Sequence, residues 1–546
     1  MNRVRLERHS HGADAMMNIY NQSRQCHSER SEESAGATSG FFAALRMTFL
    51  ILIVKIHHRV PTNTRKDAES KHLVCLLFMK GTIMSTRTRY FIKFKHGDLA
   101  NLRETLLADT SKEHFAVLLG KIQKIDGYTI ITVVDLWFPA RSDYNHQSLA
   151  LLRIKKDFIH QALVEVTNRY DVDTIIDVHT HPFTRGSVAF SATDDGDERT
   201  FFRFLNDTFE GMHYASIVFS QNNYSARVWT FGGGSIVARK ALLKTQTSRE
   251  NIASADFREE TDERYEKTVV TNVEGFFNRS VLALGLDVMR TIMHDQVITI
   301  IGVGGLGSVV AEHLIHMGFH EINLIDPDAL EMSNLNRVVG AYYEDAEQKR
   351  AKVDVVKRHL TRINPKATVT AYKKDVHEQE VESVLALSDW LIVATDNHSS
   401  RLKAQELSVR YFVPLLSLGV NITVKENKIE DMSGEVITAR IGDCLCLQCL
   451  NRINPIKVAS ERHPDQVIRE ELVKRGYVTG KDIKEPAVKT LNTSVATMAV
   501  DMLINQYTGA RRHVPVLVYE NNGHMCIYED RESVQHRNKR CFLCNV

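Results

Sequence analysis

Apolar and polar positions alternate along this chain in two rhythms. From about residue 84 to 231, short runs with strand alternation interleave with helix-period stretches: RTRYFIKFK, the apolar run 115–119, a hairpin-like 129–138, a helix over about 147–168, and TIIDVHTHP. Strand, helix, strand, strand, long helix, strand, helix, strand, strand predicts an α+β unit. From residue 297 onward the rhythm is a steadier strand–helix repeat, over 297–301, 321–326, 346–362, 368–372, 380–387, 390–394, 399–409 and 415–418. That alternation predicts a doubly wound α/β fold, mainly parallel, with helices on both faces. The polar stretch TQTSRENIASADFREETDERYEK between them reads as a linker or solvated helix.

Before residue 84 no period is sustained. HSERSEES followed by FFAALRMT looks like a translated bacterial intergenic repeat ahead of a natural start at Met84, with a disordered or partner-binding tail as the other reading. The expected division is therefore an extension over 1–83, a first domain over 84–235, a linker over 236–270 and a second domain over 271–546.

The second domain opens on VITIIGVGGLGSVVAEHLIHMG. A short apolar run breaks into Gly302-x-Gly304-Gly305-x-Gly307 and resumes with helical spacing, so it reads as strand, tight turn and a helix starting near Ser308. Glycine lets the backbone turn sharply and approach phosphate oxygens, while the helix presents free N–H groups and its positive end to the anion. Asp326 ends the next strand about twenty residues on, where an acidic side chain meets a ribose hydroxyl. To this point an NAD-dependent dehydrogenase or other NAD-binding Rossmann protein fits equally well. The distinction lies in DPDALEMSNLNR, containing Asn334 and Arg337, in KVDVVKRHLTRINP, beginning at Lys352, and in LIVATDNHSSR, containing Asp396. Hydride transfer has no use for cations and an acid converging on phosphates; phosphoryl or nucleotidyl transfer uses cations to offset polyphosphate charge and a carboxylate to hold Mg2+.

Composition narrows the remaining classes. At 546 residues the chain is too long for one ordinary core. With 69 Lys and Arg against 67 Asp and Glu, a formal charge of +2 and no basic block, nothing indicates a nucleic-acid partner. No segment reaches the length of a membrane span or sits where a secretory signal would, so no membrane association is expected. Five of the eight cysteines crowd into two C-terminal clusters, which points to metal in a reducing, cytoplasmic setting. Cys446-x-x-Cys449 and Cys541-x-x-Cys544 are two knuckles able to supply four thiolates to a structural Zn2+, the alternative being a redox pair. Cys444 could substitute as a ligand, and Cys526 sits in a strand-like HMCIYED that reads as buried.

The chemistry of the first domain lies in SKEHFAVLLG, with Glu113 and His114, in TIIDVHTHP and in Ser191-x-x-Asp194. His179 and His181 point to the same side of a strand and can share a metal. A histidine pair on a strand and a Ser-x-x-Asp helix start are each commonplace alone. Glu113, His179-x-His181-Pro182 and Ser191-x-x-Asp194 in that order resemble the JAB/JAMM metalloprotease family, over nearly the whole first domain. The resemblance implies a cytidine-deaminase-like α+β fold and a catalytic Zn2+ held by His179, His181 and Asp194 with water in the fourth position. It further implies Glu113 as general base and Ser191 as oxyanion stabiliser, acting after the C-terminal glycines of ubiquitin-like proteins. The gap between Pro182 and Ser191 is slightly long, which leaves the shape of that loop open.

From about Phe277 onward the chain resembles the ThiF/MoeB and ubiquitin-activating adenylyltransferases. On that resemblance Gly302, Gly304, Gly305 and Gly307 cradle phosphates and Asp326 binds ribose. Asn334, Arg337 and Lys352 contact the triphosphate of ATP, and Asp396 carries Mg2+. Arg279, in FNRSVLALG, matches an arginine offered across a dimer interface, so a homodimer is implied. The implied partner is a ubiquitin-like or sulfur-carrier protein ending in Gly-Gly. The charged segment 451–492, expected to include the loop over that protein's tail, holds no cysteine, which disfavours thioester chemistry and leaves Cys444 as the reserve nucleophile. A degenerate enzyme serving as a dimeric scaffold for the protease is the non-enzymatic alternative.

Overall fold

The computed structural model describes residues 90–149, 151–232, 234–246, 275–443, 445–462, 465, 471 and 486–544. The N-terminal extension, residues 247–274, Cys444 and most of the charged segment before residue 486 lie outside the described residues; the start of the linker expected over 236–270 is instead strand, Ser235–Lys240 and Leu242–Lys244, paired into the first unit's sheet.

The first unit runs β1 (Tyr90–Lys93), α1 (Asp98–Leu107), β2 (Phe115–Ile125), β3 (Tyr128–Trp137), β4 (Tyr144–Gln147), β5 (Leu152–Ile154), α2 (Lys156–Asn168), β6 (Thr174–Thr180), α3 (Ala192–Thr208), β7 (His213–Phe219), β8 (Tyr224–Gly232), β9 (Ser235–Lys240) and β10 (Leu242–Lys244). Its sheet has the order β10-β1-β3-β2-β6-β7-β8-β9. Alternation along β6 sends Ile175 to one face, beneath α2 and α3, and Ile176 and Val178 to the other, beneath α1. The helix expected over 147–168 begins nine residues late, at Lys156. The preceding stretch pairs β4 with β5 instead, because the Ser148 side chain takes the Leu151 N–H and a tight turn forms.

The second unit runs α4 (Asn278–Leu284), α5 (Leu286–His294), β11 (Val297–Ile301), α6 (Gly305–Met317), β12 (Glu321–Ile325), α7 (Tyr343–Glu347), α8 (Lys352–Ile363), β13 (Thr368–Tyr372), α9 (Gln379–Ala386), β14 (Trp390–Val393), α10 (His398–Arg410), β15 (Leu415–Lys425), β16 (Lys428–Ala439), α11 (Pro455–Glu461), α12 (Lys489–Thr508), β17 (Val516–Asn522), β18 (His524–Glu529) and α13 (Arg531–Gln535). Strands β13-β12-β11-β14-β15 are parallel, in the order of a Rossmann sheet, and β16, β17 and β18 extend it antiparallel. Separate apolar cores cover its two faces. Three readings change. The helix expected over 346–362 is two, broken where Lys349 takes φ 48° and Ala351 bridges to Ala329. The helix after the glycine turn starts at Gly305, not near Ser308. Cys526 is half-buried on the edge strand β18 between exposed Met525 and Ile527 rather than in a core. No helix among the described residues is long and apolar enough to cross a membrane.

A polar seam joins the units. Lys93 Nζ donates to Ala386 O at 2.7 Å, and Lys244 Nζ pairs with Asp389 Oδ1 at 2.9 Å while Asp389 Oδ2 accepts Val297 N–H. Gln246 brackets Ile441, donating to its carbonyl and accepting its N–H, and Gln123 donates to Arg410 O. Burial drives the Lys93 ammonium down to about 7. Val297, Ala386, Asp389 and Arg410 all lie at the starts of the parallel strands or just before them, so the seam sits at the end of that sheet remote from the glycine turn. Replacing Asp389 by Ala strands both the Lys244 ammonium and the Val297 N–H, and is expected to cost about 1–3 kcal/mol in urea unfolding. The pair Lys244→Met with Asp389→Leu should recover only the part due to the stranded ammonium, since the Val297 N–H still lacks its acceptor.

Candidate functional site

At the end of β11 the chain makes its glycine turn under close constraint. Gly302 has φ +87°, and a Cβ there would meet the Ala394 carbonyl group at 2.9 Å; a Cβ on Gly307 would lie 1.9 Å from Gly302 O. Gly304, the residue preceding α6, has open space around it. Asp326 holds the turn from the neighbouring strand: its Oδ2 accepts Val303 N–H at 2.7 Å and its Oδ1 accepts Asp328 N–H at 2.9 Å. Burial raises its carboxyl above the ordinary carboxylate range, against the pull of the Lys352 ammonium.

Around this turn the sequence-derived residues separate. Arg337 lays its stem against Gly305, with its Cδ 2.8 Å from where a Cβ would stand, and its Nη1 donates to Ser333 O. Lys352, the first residue of α8, reaches Asp328 at 2.8 Å. Asp396 is exposed on the loop after β14, two residues past the Ala394 that touches Gly302. Asn334 is buried and spends its Oδ1 on Glu331 N–H, capping a short 3-10 turn. Arg279 is exposed on α4.

One residue escaped the sequence reading. Asn492, in the first turn of α12, is 3% exposed, and its Nδ2 lies 2.4 Å from the position of a Cβ on Gly305. Its amide faces the same glycine as Arg337. No motif marks it, since it stands alone in a mostly apolar helix.

In the first unit, His179 is the penultimate residue of β6, and α3 opens with a capping box. Asp194 N–H donates to Ser191 Oγ at 3.1 Å, and Ser191 N–H donates to Asp194 Oδ2 at 2.7 Å. The box aims the Asp194 carboxylate at the histidines: Oδ2 lies 3.6 Å from His179 Nε2 and 3.9 Å from His181 Nε2. Ligand atoms of the three fall within 4.8 Å of one another. His179 Nε2 is buried with no hydrogen-bond partner, an arrangement that suits a cation and is costly without one. Burial opposes charge on both groups, yet their attraction prevails, holding Asp194 well below and His179 above its usual value. Glu113 precedes β2, where Phe115 pairs with His179. His114 is held to the same strand end by Thr180, whose hydroxyl accepts its N–H.

Sulfur atoms of Cys446, Cys541 and Cys544 also fall within 4.8 Å of one another, all buried. Cys449 Sγ accepts Cys446 N–H at 3.1 Å, bringing the fourth thiol to the group. Hydrogen bonds from Cys446 and Cys544 push the Cys449 thiol down, in a dry site beside three more sulfur donors.

Residues 277–543 match the ThiF family. Over 178 residues the chain is 30% identical to the molybdopterin-synthase adenylyltransferase of Escherichia coli, covering 32% of this chain and 68% of that protein. The chain belongs to the ThiF family. The chain is also 32% identical over 142 residues to the tRNA threonylcarbamoyladenosine dehydratase of Bacillus subtilis, a match spanning 26% of this chain and only 55% of that relative. The solved structure of Escherichia coli MccB with MccA-N7isoASN is similar at TM-score 0.40 and 18% identity, over 50% of this chain and 75% of that one.

The glycines of the ThiF turn should differ in what they tolerate. Gly307→Ala is expected to lower stability by about 1–3 kcal/mol in urea unfolding, and Gly304→Ala to leave it within about 0.5 kcal/mol.

Proposed function

We propose that the ThiF unit adenylates the C-terminal glycine of a ubiquitin-like or sulfur-carrier protein. The observation that carries this is the approach of Arg337 and Asn492 to Gly305 in a member of the ThiF family, with Asp396 placed just beyond the same turn. A carboxylate oxygen of the tail attacks the α-phosphorus of ATP, the bond to the β,γ-pyrophosphate breaks, and pyrophosphate leaves an acyl-adenylate. The turn and the start of α6 receive the phosphates, Arg337 and Lys352 offset their charge, Asp396 holds Mg2+, and Asp326 orients the ribose. Asn334 supports the loop carrying Arg337. Asn492 offers a neutral donor beside the phosphates. Relatives named for molybdopterin synthase and for the sulfur carrier ThiS support this class of partner. Exposed Phe276, in the turn before α4, and exposed Leu282, on α4 with Arg279, support a homodimer in which Arg279 serves the neighbouring site.

The first unit, on this reading, is a JAMM-type metalloprotease that trims the same or a related carrier. Its support is the convergence of His179, His181 and Asp194 around an orphaned imidazole nitrogen. Zn2+ there would supply an acidified water and polarise the scissile carbonyl. Glu113 takes the proton of the attacking water and returns it to the leaving amine, and Ser191 donates to the developing oxyanion. The four cysteines hold a structural Zn2+. One unit exposes the glycine terminus that the other activates.

Asp396→Ala is expected to abolish carrier-dependent exchange of pyrophosphate into ATP while leaving circular dichroism unchanged; retained exchange would sink the assignment. Asn492→Ala should reduce exchange about tenfold or more, the effect of losing one hydrogen bond to a charged group. Elemental analysis should find two zinc ions per chain, one lost in His181→Ala and the other in Cys541→Ser. His181→Ala alone should stop trimming of an extended carrier.

A further inference from the structure

Arg227 on β8 is 9% exposed and reaches the metal-site turn from below. Its Nε donates to Glu198 Oε2 at 2.9 Å and to Ser216 Oγ at 3.3 Å, and its Nη1 pairs with Asp195. The guanidinium carbon stands 3.6 Å from the centroid of the Phe190 ring. Phe190 and Asp195 immediately flank Ser191 and Asp194 in the chain, so one side chain grips both ends of the Ser-x-x-Asp turn. Phe190 carries the contact further, its ring lying edge-on to His179 with centroids 6.1 Å apart. Glu198, one turn beyond Asp194 on α3, is 2% exposed and also accepts Trp229 Nε1–H at 2.8 Å, which bolts the start of the helix to the sheet. Register completes the arrangement: Arg227 pairs across to Ser216 and Ser216 to Asp177, one row across three strands, two residues below His179.

A helix of this length needs no buried arginine to form, and burying one beside two carboxylates is costly unless geometry repays it. Here the repayment is rigidity at a place where a small displacement of the Asp194 carboxylate matters. We propose that Arg227 is a positioning residue for the metalloprotease site, fixing the Ser191–Asp194 turn against His179 through Phe190, Asp195 and Glu198. This rests on the metalloprotease reading above. Arg227 touches none of the three clustered donors directly; it sets where Asp194 and Ser191 stand.

The test uses the full chain with Co2+ as probe, because its absorption at a nitrogen–oxygen site is distinct from that at thiolates. Arg227→Met alone leaves the Glu198 charge buried, so Arg227→Met with Glu198→Gln, Arg227→Lys, and Asp195→Ala at an exposed carboxylate are measured beside it. The double variant is expected to fold, to bind Co2+ at the histidine site about 10–100-fold more weakly, and to lose kcat for carrier trimming with KM nearly unchanged. Arg227→Lys should recover part of both losses, and Asp195→Ala should show a smaller shift in the same direction. A folded double variant with wild-type Co2+ affinity and kcat overturns the proposal, as does a loss confined to KM. Wild-type protein that takes no Co2+ at His179, His181 and Asp194 overturns the metalloprotease reading and this proposal with it; normal wild-type loading with unaffected variants overturns this proposal alone.

Discussion

The second unit depends on one close approach, the Cα of Gly307 against the carbonyl oxygen of Gly302. With a Cβ placed there 1.9 Å from that oxygen, no other residue permits the strand to fold back into a helix so tightly. Because the turn is tight, α6 begins at Gly305 and its first N–H groups open toward the space beside Gly304. Asp326 then ties the turn to β12, and Arg337 and Asn492 close on Gly305 from two directions. Asp326, Arg337 and Asn492 are thus all in contact with that bend.

The first unit reaches a similar end by different means. A capping box, ordinarily a way of satisfying two helix N–H groups, turns the Asp194 carboxylate toward a histidine whose inner nitrogen has no partner. Local helix chemistry and donor placement are here the same interaction. The cost is a buried cluster of charges behind it, Glu198, Asp177 and Arg227, in which Arg227 pairs with Glu198 and Tyr214 donates to Asp177.

Residues close in sequence made much of this visible beforehand. The apolar run of β11, the spacing of the glycines, the His-x-His pair and Ser-x-x-Asp are all written within short windows, and the structure brings each group together locally. What stayed hidden is of two kinds. Backbone breaks such as Lys349 in the left-handed region and the Ser148 turn depend on a single residue's local bonds, which periodicity cannot register. Contacts across long separations, such as Gln246 with Ile441 or Asn492 with Gly305, join residues with no common pattern. For Asn334 the motif was visible but not the use of its Oδ1, which caps its own loop by accepting the Glu331 N–H.

The seam between the units has a consequence for traffic. It is made at the starts of β11, β14 and β15, whereas the glycine bend is at their far ends. On the other sheet Gln123 belongs to the seam and Phe115 to the strand end beside His179, about 25 Å apart along β2 at strand spacing. The glycine bend and the His179 cluster therefore both lie at strand ends remote from the common joint. On the proposed reading, a flexible carrier tail held at one site has to be let go before it reaches the other, so passage between them runs through release and recapture.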